Sequence, residues 1–103
     1  MLKINIVKNN DIIESMTFIG HAMYDDYGKD IVCAAASSAL LTTVNAILSF
    51  DEEACKYEEK ENVTLLNIKK DNITNTLLVN LELMLKDLEG QYPKNIKMNE
   101  EEN

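Results

Sequence analysis

The sequence predicts a two-layer α+β domain: a mostly antiparallel sheet of about five strands, with two helices on one face of the sheet. Several short segments alternate apolar and polar residues, as half-buried strands do, and two longer segments carry apolar stripes with helical spacing. In chain order these segments give β-β-α-β-β-α-β, with no internal repeat and no linker. We therefore expect one domain over residues 1–98 of the 103.

Two alternating segments open the chain and predict a β-hairpin. The first covers residues 2–7, and the second places Ile12, Met16 and Phe18 on one face. Between them, Asn9-Asn10-Asp11 is typical of a turn, because Asn and Asp tolerate left-handed backbone angles.

Residues 22–30 fit neither period and predict a loop, and the segment after them predicts a helix over residues 31–49. This helix contains no charged residue, so we expect it to be covered on most sides, by the sheet and by a partner subunit. Its predicted apolar stripe consists of Cys33, Ala36, Leu40, Leu41, Val44, Ile47 and Leu48.

The second half of the chain repeats the order of a hairpin followed by a helix. Residues 54–59 and 63–69 predict the two strands, and residues 73–89 predict the helix. Asp71 or Asn72 fits the start of that helix as its cap, and Gly90 fits just past its end. Residues 95–98 predict a short edge strand, and the acidic residues 99–103 predict a frayed, disordered tail.

Composition limits the class of protein and its partners. The net charge is −8 and there is no arginine, which disfavours binding to nucleic acid and favours a basic partner. The start of the chain lacks the apolar core of a signal peptide, and we expect no apolar run of the ~20 residues that span a bilayer. These observations predict a cytoplasmic protein without a membrane partner.

The two cysteines and one histidine are too few for a disulfide scaffold or a zinc site, and no cofactor motif is present. The acidic runs at 51–53 and 100–102 have no histidine nearby to complete a mixed metal site, so we expect them to be solvated. Cys55, within a predicted strand, is interpreted as a structural thiol.

Cys33 falls where a helix start would activate a thiol. If Asp30 caps the helix, Cys33 lies in the first turn, where unpaired N–H groups and the helix dipole favour negative charge. Such a site lowers the pKa of a cysteine below its free value of about 8.5. Amides at the same helix end would also be placed to stabilise an oxyanion.

His21 is the only histidine, and it ends the second predicted strand. The loop that follows leads straight back to Cys33, so a general base facing an activated nucleophile is one interpretation. The other is that His21 is a surface or structural histidine and Cys33 an inert packed thiol. Spacing alone leaves both interpretations open.

The residues around this pair carry a family resemblance. Gly20-His21-Ala22, a short loop, and then Gly28-Lys29-Asp30-Ile31-Val32-Cys33-Ala34-Ala35-Ala36-Ser37 resemble the signature of the bacterial ribosomal-processing cysteine proteases. Chain length and the order of elements are also similar to that family. Outside the signature the likeness is one of pattern.

The resemblance implies Cys33 as the nucleophile and His21 as the catalytic histidine. It implies that Asp30 sets the helix start or orients His21. The residues matching the family's supporting positions are Asp30, Gly20, Gly28 and Ser37.

The resemblance also implies a function. Proteases of this family remove the amino-terminal extension of a large-subunit ribosomal protein by cutting after an aromatic pair. They are homodimers with a flexible loop over the active site, which here would be residues 22–30. Within it, Tyr24 and Tyr27 are candidates for contacting substrate or for anchoring the closed loop. The alternative is a non-catalytic ribosome-assembly module that binds a basic ribosomal protein.

Overall fold

The structure, a computed structural model, describes residues 1–21 and 30–103. Within these residues the chain forms five strands and two helices in the predicted order, which confirms the fold class. The elements are β1 (Leu2–Asn9), β2 (Ile12–Ile19), α1 (Ile31–Phe50), β3 (Cys55–Glu59), β4 (Val63–Asn67), α2 (Asn72–Gln91) and β5 (Ile96–Glu102).

The strands form one sheet in the order β3-β4-β2-β1-β5. All neighbouring strands are antiparallel except β1 and β5, which run parallel. The β1–β2 hairpin turns through Asn10 and Asp11, whose φ angles of 51° and 68° are left-handed. The turn sequence predicted this conformation, because Asn and Asp tolerate it better than most residues.

The core lies between one face of the sheet and the two helices, which also contact each other. Ile4, Ile6 and Met16 point into it from the sheet, and each is no more than 1% exposed. Burying one such side chain stabilises the fold by about 1.5–3 kcal/mol. The helices contribute Val32, Ala36, Leu40, Val44 and Ile47 from α1, and Leu78, Leu81 and Leu85 from α2.

Helix α1 is less covered than the sequence predicted. Its inner side is buried, but its outer side leaves Ile31 56% and Phe50 66% exposed. Its 20 residues are also long and apolar enough, by length and composition, to cross a bilayer, so the expectation that no run approaches that length was wrong. The buried side of α1 belongs to the same core as the sheet, as it does in the core helix of a globular domain.

Helix α2 begins as predicted and ends later. The Asp71 carboxylate accepts from the Thr74 amide at 2.7 Å and caps the helix start. The helix continues through Gly90 to Gln91, so Gly90 is not the residue past its end. Pro93 accounts for the stop, because it lacks the N–H that another helical turn would require.

The acidic end of the chain is a strand, and the expected frayed tail was wrong for residues 99–102. β5 pairs with β1 from Leu2↔Ile96 to Lys8↔Glu102. Hydrogen bonds of the parallel ladder order the backbone, and the Lys8 ammonium lies 2.8 Å from the Glu100 carboxylate. A cation on the neighbouring strand therefore offsets part of the repulsion among the acidic residues.

An ion network connects β5 and β1 to α2. Glu82 on α2 is only 3% exposed, and its Oε2 lies 3.0 Å from Lys8 Nζ and 3.3 Å from Lys86 Nζ. Both distances are short enough for salt bridges, so two ammonium groups compensate the charge of this buried carboxylate. Burial lowers the pKa of Lys8, but hydrogen bonds to Glu100 and Glu82 outweigh it and raise that pKa.

We expect Lys8→Met to lower the free energy of unfolding by about 2–3 kcal/mol, because buried Glu82 then keeps only Lys86 as an ion-pair partner. This is less than the roughly 3–5 kcal/mol that a fully unpaired buried charge costs. Chemical denaturation measures the change. Lys97→Met is the matched control on exposed β5, where a change within about 0.5 kcal/mol is expected. Equal effects of the two substitutions would contradict this role for Lys8.

Candidate active site

Several elements meet at one end of the sheet. Because β1 and β2 are antiparallel, β1 begins where β2 ends, and Lys3 lies opposite Ile19. On the other side of β2, Phe18 lies opposite Val63 at the start of β4. Residues that are far apart in the sequence therefore surround the point where the chain leaves β2 towards α1.

A cavity of about 430 Å³ opens at this end of the sheet. His21 and Cys33 both line it, so the structure brings together the two residues that the sequence singled out. The other lining residues are Leu2, Phe18, Gly20, Ala36, Ser37, Leu40, Leu41, Tyr57, Glu59, Lys60, Glu61 and Val63.

The position of Cys33 is set by the helix cap that the sequence predicted. Asp30 has an extended backbone, and its Oδ1 accepts from the amides of Val32 at 2.9 Å and Cys33 at 3.0 Å. The Asp30 carbonyl accepts from the amide of Ala34 at 3.0 Å. Cys33 is therefore the third helical residue, half-buried at the cavity, where the helix dipole favours a thiolate.

The same cap changes the expected oxyanion site. The amides of Val32 and Cys33 are occupied by the Asp30 carboxylate, so in this structure they are not available to an oxyanion. The carboxylate charge also opposes the helix dipole at the thiol, because like charges repel. Asp30 therefore fixes the position of Cys33 at the helix start, while its charge disfavours a thiolate there.

His21 follows a backbone position that requires glycine. Gly20 has a φ of +81°, and a Cβ built on it would lie 2.9 Å from the carbonyl oxygen of Met1. Both the left-handed angle and the close approach exclude a larger residue without a local shift. His21 itself is exposed, outside any helix or strand, at the edge of the cavity.

The remaining predicted site residues divide into two groups. Ser37 lies one turn beyond Cys33 and lines the cavity. Gly28, Tyr24 and Tyr27 lie outside the described residues, as does the expected loop over the site apart from Asp30.

Sequence reasoning missed the walls of the cavity. Tyr57, Glu59 and Val63 come from the β3–β4 hairpin and were not predicted to be near Cys33. Burial raises the pKa of the Tyr57 hydroxyl, and the charge of Glu59 adds to this effect. Strand alternation places residues 57 and 59 on one face of the sheet, but only the pairing of β4 with β2 places that face beside His21.

Cys55 has a different environment from Cys33. It is buried at the start of β3, it does not line the cavity, and burial raises the pKa of its thiol. At neutral pH a raised pKa leaves less thiolate, so the interpretation of Cys55 as a structural thiol fits its position. Within residues 1–21 and 30–103, no group of three or more metal-ligating side chains occurs.

A thiol in the first turn of a helix that shares a cavity with a histidine is an arrangement typical of thiol-dependent hydrolases, the class that includes cysteine proteases. The family model described as "Cysteine protease Prp" matches residues 1–97. The chain therefore belongs to the Prp family of ribosomal-processing cysteine proteases.

Two relatives bear the name ribosomal processing cysteine protease Prp. The relative from Staphylococcus aureus is 30% identical over 104 residues, which cover 96% of this chain and 98% of the relative. The relative from Mycoplasma genitalium is 31% identical over 104 residues, which cover 98% of this chain and 97% of the relative.

Two solved structures of the S. aureus protease share the fold. One, in complex with a covalently linked product peptide, has a TM-score of 0.91 and 27% identity. The other, in complex with a substrate peptide, has a TM-score of 0.85 and 26% identity. Each comparison covers 98% of this chain and 100% of the solved chain. The chain is thus a cysteine protease, and the non-catalytic alternative has no support.

We expect Asp30→Asn to retain stability within about 0.5 kcal/mol and most of the protease activity, because Asn caps a helix about as well as Asp. Asp30→Ala removes the cap and should lower the free energy of unfolding by about 1 kcal/mol, and it should lower activity by displacing Cys33. Peptide cleavage and chemical denaturation measure the two effects.

Asp71→Ala is the matched control, since it removes the cap of α2, far along the chain from Cys33. It should cost a similar free energy and leave peptide cleavage unchanged. If Asp30→Asn abolished cleavage while keeping its stability, Asp30 would act through its charge, for example by orienting His21, and the cap would not account for its role.

Proposed function

We propose that the protein removes the amino-terminal extension of a large-subunit ribosomal protein by cutting after an aromatic pair. Cys33 is the nucleophile and His21 is the proton-transfer partner. The observation that carries this proposal is that both side chains line one cavity of about 430 Å³, a size typical of a ligand site.

The reaction proceeds through a thioester. His21 takes the proton of Cys33 Sγ, and the thiolate attacks the carbonyl carbon of the scissile peptide bond. As the C–N bond breaks, the imidazolium gives its proton to the departing amine. Water, deprotonated by His21, then attacks the thioester carbonyl carbon, the C–S bond breaks and the carboxylic acid product leaves, and the imidazolium returns its proton to Cys33 Sγ.

The lining of the cavity supports an aromatic side chain before the cleaved bond. Phe18, Leu40 and Val63 provide apolar surface beside Cys33, and an aromatic ring buries more area than other side chains. The S. aureus relative, solved with a substrate peptide, supports a peptide as the ligand. The net charge of −8 suits an extension that belongs to a basic ribosomal protein.

A homodimer is part of this proposal, with the outer face of α1 as the contact between the two copies. Its central outer residues, Ala35, Ser38, Thr42 and Asn45, are exposed, uncharged and small or of medium size. Ile31 and Phe50 extend this face at its two ends. A second copy would cover the exposed apolar side chains of Ile31 and Phe50 and the uncharged surface between them.

We place the protein in the cytoplasm. That compartment keeps free thiols reduced, as a thiol nucleophile must be, and both cysteines are free thiols in the structure. A ribosomal precursor would be present in the same compartment.

We expect a single cut after the aromatic pair when the protein is mixed with a peptide that carries such an extension. Cys33→Ala and His21→Ala should each reduce cleavage by at least about 10³-fold, because each removes a partner in the same proton transfer. Mass spectrometry of the products measures this. Cys55→Ala is the thiol control and should cleave normally. Substantial cleavage by Cys33→Ala would reject the assignment of the nucleophile.

We expect Thr42→Glu to dissociate the dimer, because it places two carboxylates at a contact that excludes water. Analytical ultracentrifugation at micromolar concentration should show the mass of one chain. Thr76→Glu, the same change at an exposed position of α2, should leave the dimer intact. A wild type that sediments as one chain would contradict the dimer.

A further inference from the structure

The start of β1 forms one edge of the cavity. Leu2 lines the cavity together with Gly20 and His21, although its own side chain is only 6% exposed. Leu2 lies there because β1 and β2 are antiparallel. Lys3 lies opposite Ile19, so the residues before Lys3 come next to the residues after Ile19. Met1 therefore lies beside the backbone that leads into His21.

The contact between Met1 and Gly20 leaves no space for a side chain. A Cβ on Gly20 would lie 2.9 Å from the Met1 carbonyl oxygen and 3.9 Å from the Met1 carbonyl carbon. No other heavy atom was found within 4 Å of that Cβ in the described part of the chain, apart from the adjoining residues. The first peptide group of the chain thus abuts the residue before His21.

The first peptide group is itself held from the opposite side. Its amide, on Leu2, donates to the carbonyl of Asn95 at 2.9 Å. That carbonyl belongs to the turn between α2 and β5, where the amides of Asn95 and Ile96 donate to the Tyr92 carbonyl at 2.9 and 3.2 Å. The α2–β5 turn therefore fixes the peptide group that meets Gly20.

We propose that the Met1–Leu2 peptide group is a positioning element for His21. The Asn95 carbonyl fixes this peptide group through a hydrogen bond. The peptide group in turn restricts the movement of the Gly20 backbone, so that the His21 imidazole stays at the cavity. This inference rests on the proposed role of His21. It adds that Met1 and the α2–β5 turn contribute to the reaction without touching substrate.

A double-mutant cycle tests the contact. In the full chain, Gly20→Ala should lower kcat by about tenfold or more with KM within about twofold, because misplacing a catalytic group by ~1 Å costs up to about 10²-fold. In a chain that begins at Leu2, the same substitution should cost at most about threefold, since the clashing carbonyl is gone. An equal loss in both chains would overturn the proposal and assign the effect to the left-handed φ alone.

A second pair of chains keeps Gly20 and covers the case in which Gly20→Ala does not fold. Residues 2–32 are synthesised with a free or an acetylated amine and ligated to residues 33–103 at Cys33. The acetyl group restores the carbonyl of Met1 without its side chain, so kcat should fall with the free amine and return with the acetyl group. If neither chain differs from wild type, or if acetylation restores nothing, the proposal is wrong.

Two controls separate this proposal from other effects. Gly90→Ala adds a Cβ to a glycine of α2 with nothing within 4 Å, and it should leave kcat unchanged. If His21→Ala retained full activity, the proposed function itself would fail. If His21→Ala is inactive and removing Met1 has no effect, only the positioning role fails.

Discussion

The pairing of β2 with β1 on one side and with β4 on the other is the constraint on which the site depends. Antiparallel pairing with β1 brings the chain start to Gly20, and pairing with β4 brings Val63 to Phe18. The cavity lies where these strands meet α1, so its walls come from β1, the end of β2, α1, the β3–β4 hairpin turn with β3, and β4. A one-residue slip in either register would turn Phe18 away from the core and remove a wall.

Local sequence signals predicted the parts of this protein that depend on near neighbours. The turn at Asn10-Asp11, the cap at Asp30 and most of the apolar stripe of α1 each follow from residues within one or two turns, although Leu41 of that stripe is 45% exposed. The placement of Tyr57 near Cys33 depends on strand order, which no local pattern encodes. β5 was predicted too short for the same reason, since its acidic residues are ordered by β1 and by Lys8.

The family signature predicted the pair at the site and left the roles of its neighbours to the structure. Glycine is required at position 20 by its left-handed φ angle and by the nearby Met1 carbonyl. The sequence motif alone reveals neither constraint. Asp30 caps α1, and its carboxylate occupies the amides that were expected to hold an oxyanion. A motif therefore identifies the residues, whereas their hydrogen bonds decide which chemistry each can perform.

The two cysteines occupy different environments within one fold. Cys55 begins an edge strand, and burial there raises the pKa of its thiol. Cys33 lies in the first turn of α1, at the cavity. There the helix dipole favours a thiolate, whereas the charge of the Asp30 carboxylate disfavours one. Under the proposed function, the His21 imidazole activates the thiol by accepting its proton. The proposed pair therefore depends on the backbone that brings His21 to the cavity, where Gly20 has a left-handed φ and lies against the Met1 carbonyl.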